Sequence, residues 1–188
     1  VGIATAQALA ITQGRQVVPV RTLDAVAAAG MNNKVGVASE ATDTSMLPGR
    51  DCTVVWMDGQ RGHVFAGLYV AGAFDCGLLR PKCIAGPQVG DPAVVLDAMI
   101  RFLADYGDEL TVDVVGTAVA RDKNLLEQRL ANVSASLSVA IGESALAPVM
   151  ARLVAANQYE AVSPDKLQPL YVRRPDAVLA RERRIGCE

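Results

Sequence analysis

Thr53-Val-Val-Trp-Met57 and His63-Val-Phe-Ala-Gly-Leu-Tyr-Val70 flank the segment Asp58-Gly-Gln-Arg-Gly62. Two β-branched and aromatic runs joined by a short glycine-bearing turn predict a β-hairpin. In the second run Val64, Ala66, Leu68 and Val70 alternate with Phe65, Gly67 and Tyr69. Successive side chains of a strand point to opposite faces. One face of this strand is therefore aliphatic and the other aromatic, and a strand apolar on both faces belongs inside a covered sheet.

Helical signals lie on both sides of the hairpin. Downstream, Asp91-Pro-Ala opens a helix with proline in its first turn. Val94, Val95, Ala98, Met99, Phe102 and Leu103 follow at helical spacing, with Gly107 as the stop. Leu110–Val115 alternates like a strand and stops at Gly116. Ala118–Ala131 interleaves charges with Leu125, Leu126 and Leu130, which predicts an exposed amphipathic helix. Ala145–Gln158 reads as another apolar helix, its Pro148 tolerated only in the first turn. Leu170–Val172 is a last strand candidate, and Arg173–Glu188 a charged tail that frays. Upstream, Val17–Val20 is a short strand candidate. Thr22 can cap a helix Leu23–Ala29 ended by Gly30. The polar stretch Met31–Asp51 reads as a loop, and as the linker between two lobes. Helices alternating with strands imply a layered α/β fold.

The first segment, Val1-Gly-Ile-Ala-Thr-Ala-Gln-Ala-Leu-Ala-Ile-Thr-Gln-Gly14, reads as a helix Val1–Gln13 with no start signal. It carries no charge before Arg15. The rows Gly2/Ala6/Ala10 and Ala4/Ala8/Thr12 repeat every four residues, and small ridges let another helix come close. A helix apolar all round needs cover on at least two faces, part of it supplied by residues or a partner outside this chain.

Composition bounds the function. The 188 residues are 51% apolar but only 4% aromatic, so the core is built from Ala, Val, Leu and Ile. A net charge of −2 argues against broad electrostatic binding of nucleic acid by this chain alone. No apolar run reaches the roughly 18 residues of a membrane helix. Cys52, Cys76, Cys83 and Cys187 form no close pair, and His63 is the single histidine, so no zinc spacing is present. They read as reduced, incidental thiols of a cytosolic protein.

Each candidate for chemistry has a plainer reading beside it. Asp58, Arg61 and His63 could form a catalytic cluster, but an acid and a base on a turn lack a third orienting group. Ser134, Ser136, Ser138 and Ser144 offer hydroxyls without a nucleophile elbow. Gly116-Thr117-Ala118 after a strand could approach a phosphate at a helix N-terminus, but a single glycine is a weak signal and no Walker loop occurs. Asp24, Asp58, Asp113 and Asp122 show no two-metal spacing. The basic residues Arg173, Arg174, Arg181, Arg183 and Arg184 are diluted by Asp176, Glu182 and Glu188. The residues assemble no active site and imply no cofactor or metal.

Four segments in order carry a resemblance. Gly2-Ile-Ala-Thr-Ala-Gln-Ala-Leu-Ala10 is similar to G-I/L-A-T/S-A-x-A/G-L-A of the bacterial TsaB (YeaZ) family of tRNA-modification proteins. Val17-Val-Pro-Val20 with Thr22-Leu-Asp-Ala-Val-Ala27 resembles its P-V strand end and S-L-x-A-L/V-A helix. Met57-Asp-Gly-Gln-Arg-Gly-His-Val-Phe65 resembles D-A-R-x-G-E-V-Y/F, and Leu167-Gln-Pro-Leu-Tyr-Val-Arg-Arg-Pro175 resembles L-x-P-x-Y-L-R-x-P. The family's first strands and its G-P-G-S-F-T-G-L-R turn are missing, so the resemblance covers roughly the C-terminal three quarters of such a protein.

That resemblance implies an actin-like, ribonuclease-H-like two-lobe fold with an incomplete first lobe. Residues 1–48 would be its remnant, 49–172 the second lobe and 173–188 the tail. It implies a cytoplasmic, non-catalytic subunit that partners a TsaD-like catalytic subunit and a TsaE-like ATPase in making N6-threonylcarbamoyladenosine on tRNA, with tRNA contacted only through the complex. The family's use of the first helix as an interface points to Ile3, Ala4, Gln7, Ala8 and Ile11, facing either the TsaD-like subunit or a second copy. The alternatives are a small-molecule kinase or peptidase-like enzyme of the same fold, whose phosphate-binding glycines and acidic residue would precede Val1, and a generic interaction module or non-functional fragment; the plainer reading of the first helix is that it is sandwiched inside its own domain.

Overall fold

The β signal of residues 53–70 becomes strands β1 (Asp51–Asp58) and β2 (Val64–Asp75) in a computed structural model of the chain, which describes residues 2–37, 51–75, 78–105, 111–131, 134–139, 146–156 and 159–170. β1 and β2 pair antiparallel from Cys52↔Val70 to Asp58↔Val64. Gln60 and Arg61 both take positive φ, 62° and 53°, followed by Gly62 at 79°. That twist matches the right-handed twist of the flanking strands. The Gly59 amide donates to the His63 carbonyl at 3.0 Å and closes the turn.

Three more strands complete a five-stranded sheet of order β3-β2-β1-β4-β5. β3 (Leu78–Gly90) pairs antiparallel with β2. β4 (Thr111–Gly116) lies parallel to β1, and β5 (Ser134–Val139) parallel to β4. Helix α3 (Pro92–Ala104) precedes β4, and α4 (Lys123–Arg129) precedes β5, as parallel neighbours require a crossover. Helices α2 (Thr22–Val37) and α5 (Leu146–Ala155) serve the other face.

Both sheet faces are covered. Cys52, Val54, Trp56, Val64, Ala66, Leu68, Val112 and Val114 face Val95, Leu96, Met99 and Leu103 of α3 and Leu126 of α4. Val55, Tyr69 and Val115 face α2 from Leu23 to Met31 and Leu146, Val149 and Leu153 of α5. The two-faced hairpin strand is thus accounted for, with Phe65 half-buried beside Tyr69 on the α2 face.

Several expectations need correction. The helix expected over Leu23–Ala29 runs from Thr22 to Val37, through Gly30. A Cβ on Gly30 would sit 3.1 Å from the Val115 side chain, so this glycine permits close approach to β4 rather than ending the helix. Val17 makes only an isolated bridge in place of the strand Val17–Val20; Pro19 has no N–H to offer a ladder. β3 and β5 were not expected. On α3, Val94 and Phe102 point outward, and Leu96 joins Val95, Met99 and Leu103 in the core. The helix expected over Ala118–Ala131 is confined to Lys123–Arg129, because Thr117–Asp122 is held in turns against the end of β1. Gly107, Ser144 and the tail 173–188 lie outside the described residues, as do Cys76, Cys187 and the expected lobe boundary near residue 48.

The chain groups into two compact units, Val18–Val162 with the sheet, and Val1–Val17 with Ser163–Glu188. In the second, α1 (Gly2–Thr12) ends at Gly14 with φ 60° and packs on a 3-10 turn Pro164–Lys166. The Gln7 amide donates to the carbonyls of Pro164 at 2.8 Å and Leu167 at 3.0 Å. Among the described residues no helix is long and apolar enough to cross a membrane.

Candidate functional site

In an open α/β sheet, ligands sit outside the carboxyl ends of the parallel strands. Here that place is where β1 ends at Asp58 and β4 at Gly116. In the Gly116-Thr117-Ala118 turn the Ala118 amide and the Thr117 hydroxyl are turned onto the end of β1. Gly116 has φ 144°, and a Cβ there would lie 2.2 Å from the Trp56 carbonyl oxygen. Its glycine is demanded by its own neighbour strand. The Ala118 amide donates to that same Trp56 carbonyl at 3.1 Å. The Thr117 hydroxyl accepts from the Asp58 amide at 3.1 Å and donates toward Met57 Sδ at 3.8 Å.

Arg121 closes the corner. Its Nη1 donates to Asp58 Oδ1 at 2.8 Å, and its Nε and Nη2 form a fork on the two oxygens of Asp122, each at 2.8 Å. Nη2 also reaches the His63 carbonyl at 3.2 Å. Asp122 in turn accepts from Trp56 Nε1 at 2.8 Å. Burial works against the charge on Asp122. The Arg121 guanidinium and the indole N–H outweigh it and hold the carboxyl below its ordinary range. Asp122 and then Asp58 likewise strengthen the charge on Arg121. One cation is shared by two carboxylates, with Nε, Nη1 and Nη2 each donating within the corner.

The sequence candidates are placed as follows. Asp58 meets Arg121 and the Gln60 amide (3.0 Å) rather than His63 as a catalytic partner. Arg61 is exposed at the turn tip. Ser134, Ser136 and Ser138 belong to β5. Of the four aspartates, Asp58 and Asp122 come together through Arg121, Asp113 is buried in β4, and Asp24 is buried on α2. Among the described residues no group of three or more His, Cys, Asp or Glu is placed to hold a metal ion. Cys52 is buried and Cys83 half-buried, and neither is in a disulfide.

Sequence reasoning missed a second polar cluster. The Asp24 carboxylate accepts from Tyr69 Oη at 2.8 Å and from Tyr159 Oη at 2.6 Å. Burial first, and then the Asp24 charge, push the Tyr69 phenol far above its ordinary range; Tyr159 moves the same way through burial and its bond to Asp24. Cys83, opposite Tyr69 on β3, is raised chiefly by burial. An aspartate inside Leu23-Asp-Ala-Val26 was the one available signal.

The α1 surface is the remaining candidate. Of the five residues assigned to it, Ala4, Ala8 and Ile11 are exposed, whereas Ile3 and Gln7 are half-covered, with Gln7 bonded within its own unit. Leu9 is 57% and Ile11 62% exposed; Ala10 is the buried residue of this helix.

No protein-family model matches the chain, and no curated protein sequence does. Among solved structures it is similar to the crystal structure of an uncharacterized protein with similarity to peptidase YEAZ from Pseudomonas aeruginosa. The TM-score is 0.53 and the identity 17%, over 92% of this chain and 66% of that one. The chain therefore spans just under two thirds of that protein's length, and the likeness is one of fold: an α/β, YeaZ-like fold.

Proposed function

We propose that this chain is a non-catalytic partner subunit of the TsaB (YeaZ) kind, built on an actin-like fold. On this reading it belongs to a TsaD-containing complex that makes N6-threonylcarbamoyladenosine at position 37 of tRNAs reading ANN codons. The observation that carries the reading is α1, an uncharged helix whose Ala4, Ala8, Leu9 and Ile11 face solvent. Small side chains beside larger apolar ones suit close packing of another helix. The fold likeness to a YeaZ-similar protein and the sheet order β3-β2-β1-β4-β5 support it.

The corner at the strand ends favours a scaffold over the kinase or peptidase alternative. A nucleophile needs an adjacent base, and a phosphate needs unspent donors. Asp58, Asp122, Thr117 and Arg121 instead bond to one another. On this reading a TsaE-like ATPase joins the assembly and tRNA is contacted through it.

The test is reconstitution. Purified chain is mixed with a TsaD-like subunit, a TsaE-like ATPase, the activated threonylcarbamoyl donor and tRNA, and the modified nucleoside is measured. Formation that requires this chain, with no ATP turnover by the chain alone, is the expected result. Equal formation without it contradicts the proposal.

A further inference from the structure

Asp24 is a buried carboxylate that no step of the proposed function uses. It lies in the first turn of α2, where a negative charge is favoured by the helix dipole. Its two oxygens are divided between two different layers. Tyr69 belongs to β2, inside the sheet, and its ring lies back over Gly67, where a Cβ would stand 3.0 Å from Tyr69 Cε2. Tyr159 follows α5 and is half-buried. One carboxylate thus ties an interior phenol and a peripheral one.

The packing beneath these two phenols is unequal. α2 lies directly on β1, β2, β3 and β4. α5 packs against α2 and the edge strand β3, with Leu146, Val149 and Leu153 as its buried stripe. If α5 lifts away, α2 keeps its seat on the sheet. Asp24 then keeps Tyr69 and its place at the helix start, and water can take the bond that Tyr159 gave up. A buried acid left with no partner would forbid such a state, but this one is never left alone.

We propose that α5 with Tyr159–Val162 is a strap that opens as a unit separate from the sheet, and that the Tyr159–Asp24 hydrogen bond is the clasp that holds it shut. The surface uncovered is the one α5 shields, along α2 and β3. Local openings of this kind cost less than global unfolding and involve contiguous elements with peripheral packing.

Hydrogen exchange on the full chain at neutral pH reads this directly. In the unaltered protein the α5 amides should exchange through an opening whose rate depends weakly on added denaturant, whereas β1 and β4 amides follow the steep dependence of global unfolding. Tyr159→Phe removes one oxygen and keeps the ring. It should speed α5 exchange about tenfold, the worth of one hydrogen bond to a charged group, with β1 and β4 changed less than about twofold. Tyr69→Phe leaves the Tyr159 bond in place and should not reproduce that selective effect. The strap is overturned if α5 and the β1–β4 pair share one denaturant dependence in the unaltered protein. It is also overturned if Tyr159→Phe accelerates every amide equally or none.

Discussion

Helices α1 and α3 are of similar length and both rich in apolar residues, yet the chain treats them in opposite ways. α3 begins on a capping Asp91, whose side chain accepts from the Ala93 amide at 2.9 Å. It buries Val95, Leu96, Met99 and Leu103 and turns Asp97 and Arg101 outward, Asp97 meeting Arg129 of α4. α1 has no charge to turn outward and buries Ala10, with Ile3 and Gln7 half-covered. An isolated helix of this length is marginal in water; α1 is steadied by the two bonds of Gln7 and by the Pro164–Lys166 turn. The difference teaches that apolar content alone does not place a helix in a core. α3 is apolar on one side and its burial is completed within the chain. α1 is apolar on every side and leaves Leu9 and Ile11 in solvent, which is surface of the kind a partner covers.

Four substitutions break or sharpen this contrast. Leu96→Ala removes a fully buried side chain of α3 and should cost about 3–4 kcal/mol in denaturant unfolding. A loss under about 1 kcal/mol would mean the α3 layer is misplaced. Asp122→Ala leaves the Trp56 N–H and the Arg121 guanidinium without their shared acceptor. That should cost about 1–3 kcal/mol with no loss of partner binding, since the corner is read as structural. Gln7→Ala deletes both bonds to the Pro164–Leu167 turn and should cost about 1 kcal/mol locally, seen as faster amide exchange in α1 and not in α3. Ile11→Ala should change the stability of the isolated chain by less than about 0.5 kcal/mol, yet weaken partner binding measurably. A large stability loss from Ile11→Ala would place α1 in a core of its own.

Much of the architecture was legible where the chain speaks locally. The hairpin announced itself through period-two alternation around Asp58–Gly62, and α3 through Asp91-Pro92 and its one-sided stripe. β3 is hard to see in sequence because it carries Pro81 and Pro87, although an edge strand tolerates them. β5 is masked by Ser134, Ser136 and Ser138, which draw attention as hydroxyls, although their alternation with Ala135, Leu137 and Val139 is itself a strand signal. Gly30 was read as a stop because sequence shows the missing Cβ but not the Val115 it accommodates. The site was legible only in part. Asp58 was singled out, but its partner Arg121 lies 63 residues away. Asp24 meets Tyr69 and Tyr159, which lie 45 and 135 positions distant. Such contacts are products of strand order and layer packing, which no local pattern encodes.

Ala8→Arg tests most directly the proposal that α1 presents a partner-binding face. Ala8 is exposed, so an arginine there has room in the isolated chain, but a close helix–helix contact would bury its charge unpaired. Binding to a TsaD-like subunit and the melting temperature are measured on the same preparation. The account predicts that binding is abolished while the melting temperature stays within about 2 °C of the unaltered chain. Undiminished binding by a folded Ala8→Arg protein, or collapse of the fold itself, would contradict it.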